Sequence, residues 1–232
     1  MSVQLDYILN KYMKFDDLVN ELLTPVNQKN NLIVIFPGRF QPFHIGHKKF
    51  FDMAKKQFPG ADFFIATSDI PTKDAAKDPN RYPFNFNEKK QIILAAGIPE
   101  QEIKQVKQPY KPLEILKDYD SNVAKVVYVV GEKDMKEDPR FAFGLTKKGK
   151  STYFQPFRSL NEMVPFKEEG GHGYIYSPGT INFNIGGKNI TGATELRNLY
   201  KASNEQQRKE IITQVLGKFD PKIYNLFNAK LK

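Results

Sequence analysis

Residues 32–47 read LIVIFPGRFQPFHIGH, and the change of character inside them decides the fold. Leu32 to Phe36 form a short, uninterrupted apolar run rich in β-branched residues, the pattern of a strand buried on both faces of a parallel sheet. The segment that follows carries two Gly, an Arg, a Gln, two Pro and two of the chain's three histidines. Gly38 permits a tight turn and a close backbone approach. Gly46 opens a helix, GHKKFFDMAKKQF (46–58), and leaves the amides of its first turn accessible to an anion. His44 and His47, three apart at that helix start, can point the same way. Two imidazoles beside free amides can donate to phosphate oxygens and stabilise charge that develops in phosphoryl or nucleotidyl transfer. The pair has no identifiable third ligand, since His172 is distant in sequence, and no metal site is expected.

The alternation continues outward from this stretch. ADFFIATS (61–68) reads as a second buried strand, NFNEKKQIILAAGI (85–98) as a helix capped by Asn87 or Asn85 and ended at Gly97. A weaker strand, EIKQV, precedes a helix candidate, PLEILKDY, and AKVVYVVG (124–131) is again a buried strand. Strands alternating with helices indicate crossover units. The fold class expected is α/β: a Rossmann-like, doubly wound parallel sheet with helices on both faces, where ligands sit beyond the carboxyl ends of the strands. Helical spacing of Leu5, Ile8, Leu9, Met13, Leu18, Leu22 and Leu23 predicts an N-terminal helical extension over 1–30. The main domain spans 31–200. Within it, residues 135–178 lose the pattern and read as an insertion, functional or carrying small elements of its own. YIYS and TINFNIGG read as strands or a hairpin, TGATELRNLYKA starts a helix, and further helices over 201–232 are expected to pack on the same domain.

Composition narrows the function classes. The chain has 232 residues, 40% hydrophobic and 26% charged, and no cysteine. Disulfides and thiolate metal sites are thereby excluded, and a reducing, cytoplasmic setting is the expectation. No apolar run is long enough to span a bilayer and the start lacks a secretory pattern, so no membrane partner is expected. The net charge of +9 favours polyanionic ligands. Its lysines are spread rather than blocked, which describes a solvated surface as well as a nucleic-acid footprint, and no nucleic-acid partner is expected.

GRFQPFHIGH resembles the first signature of the HIGH-motif nucleotidylyltransferases, the cytidylyltransferase-like superfamily. Its form is most similar to the nicotinamide mononucleotide adenylyltransferases of the archaeal and bifunctional type, and the 135–178 stretch would suit a phage-encoded member. A second signature of that family, I-S-[SA]-T-x-[IVL]-R, is matched by TGATELR (191–197), with Thr194 and Arg197 in place and Gly192 where the family has Ser. A third match is VVYVVGEKD (126–134), with Gly131 and Asp134 after a strand. The resemblance covers residues 32–200. It implies His44, His47 and Arg197 as catalytic residues, and Gly38, Arg39, Phe40, Gln41, Gly46, Gly131, Asp134 and Thr194 as nucleotide-binding ones. Lys73 and Arg81, in the loop SDIPTKDAAKDPNRYPF, are read either as phosphate contacts or as ordinary exposed cations.

The reaction implied is attack of an acceptor's phosphate oxygen on the α-phosphorus of a nucleoside triphosphate, with pyrophosphate leaving. The partners implied are that triphosphate, its Mg2+ and a phosphorylated small molecule; a homo-oligomer is compatible with all of this. The GRFQPFH form favours ATP, and nicotinamide mononucleotide is the implied acceptor type. The chain has no tryptophan to stack it, but its 19 phenylalanines and 11 tyrosines can supply an aromatic face. Two alternatives stay open: a cytidylyltransferase making a CDP-alcohol or CDP-sugar, and a non-catalytic nucleotide-binding protein. Class I aminoacyl-tRNA synthetases share the HIGH motif, but the chain is short and lacks their Lys-rich second signature.

Overall fold

The first strand expected from the sequence, β1 (Leu32–Pro37), has its interior position enforced by its composition: Ile33, Val34 and Ile35 are fully buried. The computed structural model describes residues 30–70, 78, 80–138, 141–167, 171–180 and 183–231; the expected N-terminal helices and Lys73 lie outside the described residues. β2 (Asp62–Thr67), β3 (Ile103–Gln105), β4 (Lys125–Val129), β5 (Phe154–Pro156) and β6 (Gly173–Tyr176) join β1 in a six-stranded sheet of order β3-β2-β1-β4-β6-β5. Every pairing in it is parallel. The stretch 135–178 therefore contributes two strands to the main sheet, β6 beside β4 and β5 at the edge. Of these, β6 falls on the YIYS pattern, while the three-residue β5, ending in a proline, gives no periodic signal. β7 (Phe183–Ile185) and β8 (Lys188–Ile190) form a separate antiparallel hairpin.

Alternate residues of the central strands feed two cores, as the two-residue period of a strand demands. Val34 and Phe36 of β1, with Val127 and Val129 of β4, face a core that includes Phe51, Ile92, Leu196, Ile212 and Phe227. These come from α1 (Ile45–Gln57), α2 (Phe86–Ala95), α5 (Ala193–Lys201), α6 (Glu205–Leu216) and α7 (Pro221–Lys230). Ile33, Ile35, Val126 and Tyr128 face the other core, with Ile115 and Leu116 of α3 (Leu113–Leu116) and with Phe141. A further short helix, α4 (Glu132–Glu137), follows β4. The sheet is thus covered on both sides, and the fold is Rossmann-like α/β.

Local chemistry sets the helix ends. Asn85 caps α2, its side chain accepting from the Glu88 N–H at 3.0 Å while Glu88 accepts from the Asn85 N–H at 2.9 Å. α6 repeats the device with Asn204 and Gln207. Gly97, at φ +85°, takes the left-handed conformation that ends α2.

The strand order reverses between β1 and β4, since β2 and β3 lie on one side of β1 and β4 on the other. At such a switch point the connections diverge and leave a crevice beyond the strand ends. GRFQPFHIGH leaves β1 there, and Gly131 with Asp134 follow β4 there.

Candidate active site

The loop leaving β1 is held by unusual backbone. Phe40 adopts φ +45°, and the Gln41–Pro42 peptide is cis. A left-handed non-glycine residue costs about 1–3 kcal/mol and persists only where its surroundings fix it. Here the surroundings are its own ring, buried in an aromatic cluster with Phe36 at 5.3 Å, Phe43 at 5.4 Å and His47 at 5.0 Å. Gly38 makes this possible, because a Cβ there would stand 2.6 Å from the Phe40 ring.

Gln41 is 5% exposed, and both polar atoms of its side chain bond within the protein. Its Nε2 donates to the Phe84 carbonyl at 2.7 Å, and its Oε1 accepts from the Phe84 N–H at 3.0 Å. The loop is thereby clamped to the segment entering α2. The backbone carbonyl of Gln41 accepts from Arg197 Nη1 at 2.5 Å, while Arg197 Nη2 donates to Thr194 Oγ1 at 3.1 Å. The two signatures, 156 residues apart in sequence, are in direct contact.

Arg197, 8% exposed, lies in the wall of a cleft of about 450 Å³ lined also by Arg39, Asp78, Asn80, Arg81, Thr194, Asn198 and Lys201. Thr194, Arg197, Asn198 and Lys201 recur at helical spacing along one face of α5. Burial lowers the pKa of Arg197, Asp78 opposes this, and Arg39 and Arg81 act in the same direction as burial. A guanidinium nonetheless stays protonated, so the cleft gathers four permanent or near-permanent cations against one carboxylate.

Neither of the two imidazoles is among the residues lining this cleft. Their rings stack at 3.7 Å. His44 is 4% exposed, packs against Phe183 of β7 at 4.6 Å, and both its ring nitrogens are buried with no hydrogen-bond partner among the described residues. Burial pulls its pKa down to about 3 and pushes that of His47 well below the usual imidazole range, so both rings are neutral at pH 7. The His44 N–H donates to His47 Nδ1 at 3.3 Å, which assigns the His47 proton to Nε2 and makes that atom a donor. Gly46 lies under the same phenyl ring, where a Cβ would stand 2.8 Å from Phe183.

Of the residues implied by the motifs, Arg39, Thr194 and Arg197 meet in the cleft. Gly38, Phe40, Gln41 and His44 build the loop that carries Arg39, and Gly46 lies in the first turn of α1. Gly131 and Asp134 stand at the start of α4, with Gly131 against Phe50, and are not among the residues lining the cleft. Arg81 turns out to be a lining residue. Asn80, Asn198 and Lys201 join it without any motif to announce them; the recurrence of polar residues after Arg197 at helical spacing was the one available signal. Lys89 is a further hidden feature. It is 1% exposed, its amine donates to Thr67 Oγ1 at 2.9 Å and to the Ser68 carbonyl, and burial pulls its pKa down to about 8 against the carboxylate of Asp69. In sequence it is one lysine of the pair in NEKKQII, indistinguishable from its exposed neighbours.

Among the described residues, no three His, Asp or Glu side chains cluster as a metal-ligand set, and no helix is long and apolar enough to cross a membrane.

A family model described as cytidylyltransferase-like matches residues 35–167. Among solved structures, a bifunctional NMN adenylyltransferase/ADP-ribose pyrophosphatase from Francisella tularensis, complexed with AMP and a manganese ion, is 21% identical. It aligns over 85% of this chain and 48% of its own, with a TM-score of 0.45. A second structure of that bifunctional enzyme is 23% identical over the same shares, with a TM-score of 0.42. The chain spans about half the length of these structures. No curated protein matches it significantly, and none of these findings supports a phage origin.

Proposed function

The chain belongs to the cytidylyltransferase-like family of nucleotidyltransferases, and from that premise we propose that it transfers AMP from ATP to a phosphorylated small-molecule acceptor such as nicotinamide mononucleotide, releasing pyrophosphate. The observation that carries this reading is the contact between Arg197 and the Gln41 carbonyl at 2.5 Å. It joins the two phosphate-directed signatures at one cationic cleft beyond the end of β1.

The acceptor is already an anion, so the reaction asks for no general base. What it requires is in-line positioning and neutralisation of charge on the equatorial and leaving oxygens. In this reading Arg39 and Arg197 hold triphosphate oxygens, Arg197 with a planar fork suited to two of them. The Thr194 hydroxyl and the amides opening α5 add donors. His47 Nε2–H and the neutral ring of His44 donate to the oxygens around the reacting phosphorus. A divalent cation, Mg2+, enters on the triphosphate as part of the substrate, held by its oxygens and water.

Phe183 now covers His44, so its ring turns aside when a phosphate engages that imidazole. Phe183→Ala is therefore expected to speed modification of His44 by diethyl pyrocarbonate, a reagent for neutral imidazole, at least fivefold. Peptide mass mapping reads this directly, and an unchanged rate would show that the ring is not what shields His44.

The reaction itself is tested by pyrophosphate release, measured with ATP, CTP, GTP and UTP, each paired with nicotinamide mononucleotide and with a panel of sugar and alcohol phosphates. ATP with a mononucleotide acceptor is the expected productive pair. Turnover with CTP and an alcohol or sugar phosphate would replace the adenylyl reading by the cytidylyl one. Silence across the panel, with nucleotide still bound, would leave a binding protein.

A further inference from the structure

The cleft holds more positive charge than the two signatures supply. Lys201 lies one helical turn beyond Arg197 on α5, and its amine reaches not the motif loop but Asn80 Oδ1, at 3.0 Å. Asn80 is neutral, so this hydrogen bond orients the ammonium across the cleft without cancelling its charge, as a carboxylate would. Arg81, next in sequence, lines the same wall. With Arg39 and Arg197 that makes four cations against the carboxylate of Asp78, whose Oδ1 also accepts from the Arg81 backbone N–H at 3.2 Å. Like charges gathered in one concave site repel one another, and the arrangement becomes favourable only with an anion of several charges between them. The stripe from Thr194 to Lys201 extends over about 10 Å of helix, which suits an extended polyanion better than a single phosphate group.

We infer that Lys201 and Arg81 form a clamp, one jaw on α5 and one on the segment before α2, for the terminal phosphate of the nucleoside triphosphate. This rests on the nucleotidyl-transfer reading and extends it to residues outside both signatures. The clamp grips the donor and the departing pyrophosphate, and leaves the acceptor alone.

Inorganic tripolyphosphate and nicotinamide mononucleotide serve as separate calorimetric probes, on the wild type and on Lys201→Gln and Arg81→Gln. Glutamine removes the charge while keeping a polar amide; Lys201 is half-exposed, and equal melting temperatures check that the fold is unaffected. Each substitution is expected to weaken tripolyphosphate binding about tenfold while changing mononucleotide binding less than twofold, and Lys201→Arg is expected to restore the loss. Unchanged tripolyphosphate affinity in both variants would overturn the clamp while leaving the nucleotidyl-transfer reading standing. Equal losses for both probes would overturn it in favour of a general electrostatic effect. A wild type that binds no tripolyphosphate would remove the donor site, and with it the reading on which the clamp rests.

Discussion

His47→Ala is expected to lower kcat by about 10²–10³-fold, the usual cost of removing one preorganised donor from a site where negative charge develops. The imidazole is fixed on every side that the structure describes. Nδ1 takes the His44 N–H at 3.3 Å. The ring stacks on His44 at 3.7 Å and is boxed by Phe40 at 5.0 Å and Phe43 at 5.3 Å. A donor held that firmly costs no reorganisation when charge appears. Alanine also leaves a hole in the aromatic cluster and an unpaired N–H on His44, so a stability loss of about 2–4 kcal/mol accompanies it. His47→Asn separates the two effects: its amide oxygen can accept the His44 N–H, while its amide nitrogen cannot stand where Nε2 does. Turnover is expected to fall by a similar factor in both variants, with melting temperature lowered chiefly in alanine. Wild-type turnover in either, measured by pyrophosphate release, would remove His47 from the chemistry.

The parallel sheet was readable because its inner strands are buried on both faces, which leaves near-continuous apolar runs such as LIVIF and KVVYV with no other economical placement. The turn from β1 into α1 was readable because Gly, Pro and His residues break the apolar run just before a helical pattern resumes. What the sequence did not disclose depends on contacts formed only in three dimensions. β5 is three residues long and lies at the sheet edge, where one neighbour and partial burial leave little compositional trace. α4, six residues, has no apolar stripe. Gln41 offers an amide that a nucleotide could bind, yet the structure spends both of its polar atoms on Phe84, so its influence on the cleft passes through its backbone carbonyl to Arg197. His44 reads as an open ligand and is found under Phe183, a residue 139 positions later whose arrival depends on how the β7–β8 hairpin packs. Lys89 and Lys201 are two lysines in a lysine-rich chain. One is sealed against the end of β2 and the other stands in the cleft, a distinction set by helix rotation against the sheet and not by residue type.

Arg197→Lys, conservative in charge, is expected to lower kcat/KM for the triphosphate by about 10²-fold, most of it as a raised KM. The guanidinium does two things at once: Nη1 holds the Gln41 carbonyl at 2.5 Å, and Nη2 holds Thr194 Oγ1 at 3.1 Å, which together fix it in the wall of the cleft. An ammonium is a point charge on a flexible stem and cannot span both partners while presenting a planar edge to phosphate. If it keeps the Gln41 carbonyl, its charge is withdrawn from the cleft; if it turns to the phosphate, a buried carbonyl is left unpaired at about 1–3 kcal/mol. The two losses can be told apart. The first appears as weaker binding of triphosphate with an unaltered melting curve, the second as a lowered melting temperature with affinity partly kept. Arg39 lies in the same cleft, and losses at positions that share a ligand do not add. The double variant Arg39→Gln/Arg197→Lys is accordingly expected to lose less than the sum of the single losses in free energy. Strict additivity would mean that the two cations serve separate anions, and Arg197 would then act through the Gln41 carbonyl on the loop geometry alone, without touching the phosphate that Arg39 holds.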